Sequence, residues 1–354
     1  MALHKNFWEG KKVFITGHTG FKGAWLAFIL QSFGADVTGY ALEPPTTPNL
    51  FNLIRLNKFI HSTRGDVRNL MVLRKIVNQR RPEIVFHLAA QPLVLEGYNN
   101  PPLTYETNVM GTVNLLESIR NVDSVRSVIN VTTDKVYHNN EWAYGYRETD
   151  LLDGIDPYSN SKSCAELVTN CYVRSFLADK SIAVSTVRAG NVIGGGDFAD
   201  HRLVPDCVRA ALKLETIEVR NPNAVRPFQH VLEPLIAYIM IAEAQYNDAT
   251  FADCYNIGPD ADDCISTGKL VRMFCELWGD GLDWEAQEID QPREANFLKL
   301  DCSKFKQLFD WSPRWSIRKA LEKTIEWTKI YQRRGNLLNC MTDQLNEYLE
   351  GVSE

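Results

Sequence analysis

Tyr158 and Lys162 lie four residues apart in Tyr158-Ser159-Asn160-Ser161-Lys162. Residues i and i+4 share a helix face, so this stretch sets a phenol beside an ammonium. A nearby cation favours the phenolate and lowers a tyrosine from its ordinary value near ~10. Tyr158 is therefore expected to act as the base for a sugar or alcohol hydroxyl. Any long helix can carry Tyr-x-x-x-Lys by chance, and the pair gains weight from a second pattern. Gly17-His18-Thr19-Gly20-Phe21-Lys22-Gly23 follows a β-rich run and opens an apolar helix. In that setting glycines let the backbone turn sharply and approach a pyrophosphate, which sits on the helix N-terminus. A nucleotide-gripping loop and a Tyr/Lys base in one chain point to nicotinamide redox chemistry on a hydroxyl.

The glycine spacing is G-x-x-G-x-x-G, not the G-x-G-x-x-G of two-domain dehydrogenases. The end of the second expected strand, Val37-Thr38-Gly39-Tyr40-Ala41, carries no carboxylate for an adenosine ribose. Asp36 stands at its start and Glu43 beyond its end, and no Arg stands there for a 2′-phosphate. This stretch therefore specifies NAD over NADP only weakly.

The elements that must position these groups alternate along the first half. Lys12 to Thr16, Asp36 to Ala41, Glu83 to Leu88, Ser127 to Thr132 and Ile182 to Arg188 are strand-like. Gly23 to Phe33, Met71 to Gln79, Thr107 to Asn121 and Tyr158 to Leu177 are helix-like. Alternating strands and helices, with near-continuous apolar strands, imply a parallel sheet covered on both faces. The expected class is α/β, a Rossmann-type doubly wound parallel sheet with a smaller mixed α/β substrate domain. Gly194-Gly195-Gly196 and Pro205 break the pattern after about position 190, and Arg220 to Pro227 has loop character. The expected division is residues 1–190 for the cofactor, 191–330 mainly for the substrate, and a polar, weakly ordered tail at 331–354. Segments such as Phe228 to Ala244 are candidates to return to the sheet.

The chain has 354 residues, 45% of them apolar, which suits a globular protein with a sizeable core. A net charge of −6 and a pI of about 5.7 argue against a broad nucleic-acid surface. The longest apolar runs, Ala24 to Leu30 and Leu235 to Ala242, are too short to span a bilayer. Met1 to Gly10 carries no apolar leader segment. All 8 cysteines follow position 160, none in Cys-x-x-Cys, and no His cluster has zinc spacing. A reduced, cytoplasmic, metal-free protein is expected.

Together the motifs resemble the extended short-chain dehydrogenase/reductase superfamily, from about Lys12 to about Trp327. The matching pieces are Gly17 to Gly23, Gly65-Asp66-Val67, His87-Leu88-Ala89-Ala90-Gln91, Thr107-Asn108 with Gly111-Thr112, and Tyr158 with Lys162. Within it the chain resembles the nucleotide-sugar 4,6-dehydratases through Thr132-Thr133-Asp134-Lys135-Val136-Tyr137. Most of these enzymes have Thr-Asp-Glu there, and Thr-Asp-Lys is the form associated with the branch acting on CDP-glucose. The stretches Arg188 to Asp197, Arg226 to His230 and Glu294 to Asp301 are similar to that branch as well.

The resemblance implies NAD as cofactor, a CDP-sugar as substrate, and loss of water with no net redox change. It implies catalytic roles for Thr133, Asp134, Lys135, Tyr158 and Lys162. Asp134 would protonate the departing C6 hydroxyl, and Thr133 would hydrogen-bond the C4 oxygen. Cofactor contacts are expected from Gly17, His18, Thr19, Gly20, Phe21, Lys22, Gly23, Asp66, Val67, Leu88, Ala89, Ala90, Gln91, Thr107, Tyr158 and Lys162. Substrate contacts are expected from Gln91, Thr133, Asn191, Arg202, Arg226, His230 and Arg293. Arg suits bidentate phosphate contact. The imidazoles of His18 and His87 have more the character of lining or core groups than of catalysts. Lys135 departs from the usual Glu: it can take the C5 proton only if its pKa falls well below ~10.4, and otherwise it polarises the ketone and leaves deprotonation to water or another group. The helices Thr107 to Asn121 and Tyr158 to Leu177 are the pair that forms dimers in this superfamily, so a homodimer or homotetramer is expected, with no nucleic-acid or membrane partner. Two rival readings remain. A 4-epimerase has no use for Asp134 as an acid, and a non-catalytic NAD(P)-binding sensor has no use for Thr133, Tyr158 and Lys162.

Overall fold

The computed structural model describes residues 3–287 and 297–350. Seven strands form one parallel sheet: β1 (Lys12–Thr16), β2 (Asp36–Ala41), β3 (His61–Arg64), β4 (Ile84–His87), β5 (Ser127–Val131), β6 (Ala183–Ala189) and β10 (Cys254–Ile257), in the order β10-β6-β5-β4-β1-β2-β3. Val13 to Ile15, Ile84 to Phe86 and Val128 to Ile129 are buried on both faces, as parallel strands between two helical layers require. The chain order reverses between β1 and β4. Loops leaving two such strands diverge and open a crevice at their carboxyl ends. The Rossmann-type doubly wound class expected from the sequence is the class observed.

One face of the sheet is covered by the helices Phe21–Ser32 and Leu232–Asn247, the second apolar around its whole circumference and buried on nearly all of it. The helical part of the Phe228 to Ala244 segment, from Leu232, thus returns to the sheet. Leu73, Val77, Leu115, Leu116, Ile119 and Leu177 cover the other face. The expected helix from Thr107 runs through three pieces: Pro101–Tyr105, a π-helical turn Glu106–Met110, and Gly111–Ile119. β3 went unread because His61-Ser62-Thr63-Arg64 is an edge strand with neither apolar alternation nor an apolar run.

Five short strands lie outside the main sheet: β7 (Asn191–Ile193), β8 (Ile217–Val219), β9 (Val225–His230), β11 (Cys264–Ser266) and β12 (Trp284–Ala286). They form one sheet in the order β11-β9-β7 and a pair β12-β8. The expected loop from Arg220 to Pro227 thus contains the start of β9, where Pro227 stands in a short three-stranded sheet.

The largest departure is at the C-terminus. The segment expected to be a polar, weakly ordered tail holds the helix Leu337–Glu350, which buries Leu337, Cys340, Met341, Leu345, Tyr348 and Leu349 in the main core. Its apolar residues recur at helical spacing between polar ones, so composition alone hid an amphipathic face. Tyr348 donates its hydroxyl to Glu233 Oε2 at 2.6 Å, and the backbone N–H groups of Arg314 and Trp315 donate to Glu233 Oε1 at 2.9 and 2.8 Å. Burial nevertheless pushes Glu233 up to about 7. Tyr348→Phe keeps the ring and removes one hydrogen bond to a buried carboxyl. It should cost about 1–3 kcal/mol in urea unfolding. An unchanged unfolding midpoint would show that the hydroxyl does not fasten this helix.

Candidate active site

The crevice is lined first by the loop after β1. The backbone turns at Gly17, whose φ is 80°, and a Cβ there would lie 2.7 Å from Ala89 N. A Cβ on Gly23 would lie 2.1 Å from Gly17 O. Both glycines are needed by the protein's own packing. Gly20 is different: its Cβ would meet only Gly17 O, at an ordinary 3.5 Å. No side chain caps the helix Phe21–Ser32, so its first N–H groups are left for an anion. Free N–H groups at the positive end of the helix dipole, with open space over Gly20, fit a dinucleotide pyrophosphate.

The loop after β4 faces this one. Leu88 and Ala89 donate their N–H groups to Thr16 Oγ1, both at 3.2 Å. Gln91 N donates to Asn108 Oδ1 at 2.8 Å, and Asn108 Nδ2 donates to Gln91 O at 3.0 Å and Ser161 Oγ at 2.9 Å. Asn108 therefore ties this loop to the helix bearing Tyr158. It was absent from the expected site, although the Thr107-Asn108 pair signalled it. Thr107 is half-buried beside it, and Ala90 is half-buried on the loop. The Gln91 amide is engaged inside the loop, donating to Leu93 O at 3.1 Å and Thr104 Oγ1 at 2.9 Å. His87 bridges Thr16 Oγ1 at 2.7 Å and Thr112 Oγ1 at 3.2 Å and is pushed down to about 3 by burial, a core histidine.

Around the end of β2, Thr19 Oγ1 donates to Leu42 O at 3.0 Å. The His18 imidazole, expected at the cofactor, is buried against Ser62 Oγ at 2.7 Å and takes the space of a Gly39 side chain, whose Cβ would sit 2.2 Å from the ring. Burial and the Arg64 charge push it down to about 4. The expectation of no arginine near this strand end also changes, because β3 delivers Arg64, which pairs with Glu43 at 2.7 Å. Asp66 holds Arg68 at 2.6 Å, and Val67 packs against Gly111.

The next turn begins where β5 ends. Thr133 caps the short helix Asp134–Val136, accepting from Lys135 N, and donates its hydroxyl to Asp134 Oδ1 at 3.0 Å. Asp134 is 2% exposed, and its Oδ2 is buried without a hydrogen-bond partner among the described residues. Burial raises its pKa, against the pull of Lys135, Thr133, Arg226 and Lys22. The helix Pro157–Tyr172 faces this turn. It starts here because Asp156 caps it, accepting from Ser159 N at 3.0 Å, and Pro157 occupies its first position. It presents Tyr158 and Lys162 one turn apart, as expected. The Thr133 side chain lies beside the Tyr158 hydroxyl.

The expected lowering of Tyr158 by Lys162 is not observed. Burial pushes Tyr158 up to about 12, and the charges reaching it are those of Asp134, Arg202 and Asp156. Lys162 directs its Nζ to Val131 O at 3.1 Å. Burial and the neighbouring Lys22 push Lys162 down to about 7, so its own charge is costly.

Lys22 belongs to this cluster. It makes no hydrogen bond or ion pair among the described residues. Burial first, then Arg202, push it down to about 8, with Asp134 and Asp197 pulling the other way. Phe21 lies beside Gly194. Arg202 pairs with Asp197 at 3.1 Å at the half-exposed rim. Arg226 is not on a loop: it is buried in β9, and its charge reaches Asp134. Asn191 opens β7 and is half-buried. His230, expected at the substrate, is fully buried between Trp25 and Trp315, with ring centroids at 6.2 and 4.8 Å, and has no face for a ligand. Arg293 lies outside the described residues.

The sequence profile described as GDP-mannose 4,6 dehydratase matches residues 14–324. The chain is 45% identical to the CDP-glucose 4,6-dehydratase of Salmonella typhimurium, over 99% of both chains. Among solved structures it is similar to dTDP-glucose 4,6-dehydratase from Bacillus anthracis in complex with NAD, with a TM-score of 0.77, 22% identity, and coverage of 93% of this chain and 100% of that one. It is likewise similar to UDP-glucose 4-epimerase from Thermotoga maritima with UDP-glucose, with a TM-score of 0.79, 22% identity, and coverage of 90% and 99%. At these identities the two structures speak for the fold alone. The chain belongs to the nucleotide-sugar 4,6-dehydratase family.

Gly20→Ala should leave the thermal midpoint unchanged and weaken NAD about tenfold or more in calorimetric titration, because the new methyl enters space the protein does not use. Gly23→Ala should lower the midpoint itself. Unaltered NAD affinity in Gly20→Ala would remove this loop as the pyrophosphate site.

Proposed function

We propose that this chain is a CDP-glucose 4,6-dehydratase that uses NAD, converting CDP-glucose to CDP-4-keto-6-deoxyglucose. The observation that carries the reading is the Thr133-Asp134-Lys135 turn, with Thr133 and Asp134 buried, set against Tyr158 and Lys162, in a chain with 45% identity over 99% of its length to a dehydratase of that specificity.

Bound NAD supplies the acceptor for the C4 hydride and its return to C6. Gly17 to Gly23 and the helix N-terminus would hold its pyrophosphate, and Lys162 its nicotinamide ribose. Tyr158 takes the C4 hydroxyl proton while Thr133 hydrogen-bonds the C4 oxygen. The C4 ketone acidifies the C5 hydrogen, so water can leave across C5 and C6. Asp134 suits the acid role: burial favours its protonated form, and Oδ2 is the oxygen left to face the departing C6 hydroxyl. Two amines lie near Asp134 to serve the C5 proton, Lys135 in the turn and Lys22 in the glycine loop. Lys22, at about 8, gives up a proton close to neutral pH. Arg202 and Arg226 are the cations for the substrate pyrophosphate.

A 4-epimerase has no departing hydroxyl and no need for a buried acid at Asp134. Exposed Tyr98, Met110, Leu167 and Phe176 on the segments flanking the crevice support assembly as a homodimer. The cytoplasm is the compartment proposed, in keeping with 8 free cysteines.

Tyr158→Phe should lower turnover of CDP-glucose by roughly 10²–10⁴-fold, and near wild-type turnover would remove it as the base. Asp134→Asn should still reduce bound NAD on mixing with CDP-glucose, yet release the 4-keto product slowly. Loss of that cofactor reduction would place Asp134 in the oxidation step instead.

A further inference from the structure

The Arg188 to Gly190 stretch and the polar groups on the inner face of the Tyr158 helix have no part in the chemistry above, yet they converge. Glu166 continues the Tyr158, Lys162 series by one more helical turn and is completely buried. Its carboxylate accepts from Arg188 Nε at 2.9 Å and Nη2 at 3.0 Å, from Thr132 Oγ1 at 2.5 Å, and from Thr186 Oγ1 at 2.6 Å. Arg188, at the end of β6, is 1% exposed. Its Nη1 donates to Tyr137 Oη at 2.7 Å and Glu148 O at 3.1 Å, and Tyr137 donates to Asn256 Oδ1 at 2.6 Å.

Thr132 and Tyr137 are the residues on either side of the turn that carries Thr133, Asp134 and Lys135. We propose that the Glu166–Arg188 pair is a positioning device for the catalytic turn, with Glu166 fixing its entry through Thr132 and Arg188 fixing its exit through Tyr137. This rests on the dehydratase reading and deepens it. A buried ion pair adds little net stability over apolar packing, whereas its directional bonds fix where the turn sits. A displacement of the order of 1 Å in a reacting group costs about 10²-fold in rate. Asp134 is the group most sensitive to such an error, because among the described residues its Oδ2 has no hydrogen bond to hold it.

The test uses two threonines that make the same bond. Thr132→Val and Thr186→Val each remove one hydroxyl donated to Glu166, but only Thr132 adjoins the turn. Both variants should lose similar thermal stability. Thr132→Val should lower kcat about tenfold or more with KM within about threefold, and in single turnover its reduced nicotinamide absorbance should persist as elimination lags. Thr132→Ser should restore the rate. Tyr137→Phe should behave as Thr132→Val does, from the other end of the turn. Thr186→Val should keep kcat within about twofold of wild type. Equal losses of kcat in Thr132→Val and Thr186→Val, or no lag in either Thr132→Val or Tyr137→Phe, would overturn the positioning role. Failure of the wild-type chain to turn over CDP-glucose would instead sink the dehydratase reading.

Discussion

The proposed site depends on keeping one carboxyl, that of Asp134, buried, with its Oδ2 short of a hydrogen-bond partner among the described residues. An ionised carboxylate in that condition is costly, so burial favours the proton-bearing form. The turn can hold such a group only because its neighbours are fixed: β5 leads into it, Thr133 caps it, and Thr132 and Tyr137 anchor it to Glu166 and Arg188. A free loop would let the carboxyl turn toward water and ionise. The doubly wound sheet supplies the crevice, and the Tyr158 helix closes one side of it.

Cations surround the same point. Lys22, Lys162, Arg202 and Arg226 act on Asp134, Tyr158 or one another. Burial first, and then their mutual repulsion, bring Lys162 to about 7 and Lys22 to about 8. Tyr158 at about 12 is far from a phenolate. Burial thus works against the phenolate that the proposed role of Tyr158 needs. The positive charge of an oxidised nicotinamide is the chemistry that would correct it, which links base strength to cofactor occupancy.

The sequence made the main sheet legible because its strands are uninterrupted apolar runs separated by helices, and it made the site legible through local motifs. Tyr158, Lys162, Thr133, Asp134 and the three glycines fall into one crevice. Quantities that depend on the third dimension were out of reach. Local spacing placed Lys162 next to Tyr158 but could not say that its Nζ turns to Val131 O. His230 looked like a ligand in a strand-end motif, and only packing shows Trp25 and Trp315 on its two sides. Arg64 came from an edge strand whose polar sequence hides it. The C-terminal helix was missed because its apolar stripe is thin and its partner Glu233 lies over a hundred residues away.

The central claim is a hydride that leaves C4 and returns to C6 of the same sugar. CDP-glucose carrying deuterium at C4 tests it directly, with the product read by mass spectrometry and NMR. The account predicts a 4-keto product with one deuterium on its C6 methyl and none passed to unlabelled substrate turned over alongside. Deuterium returned to C4, as an epimerase would leave it, or lost to the solvent, would contradict it.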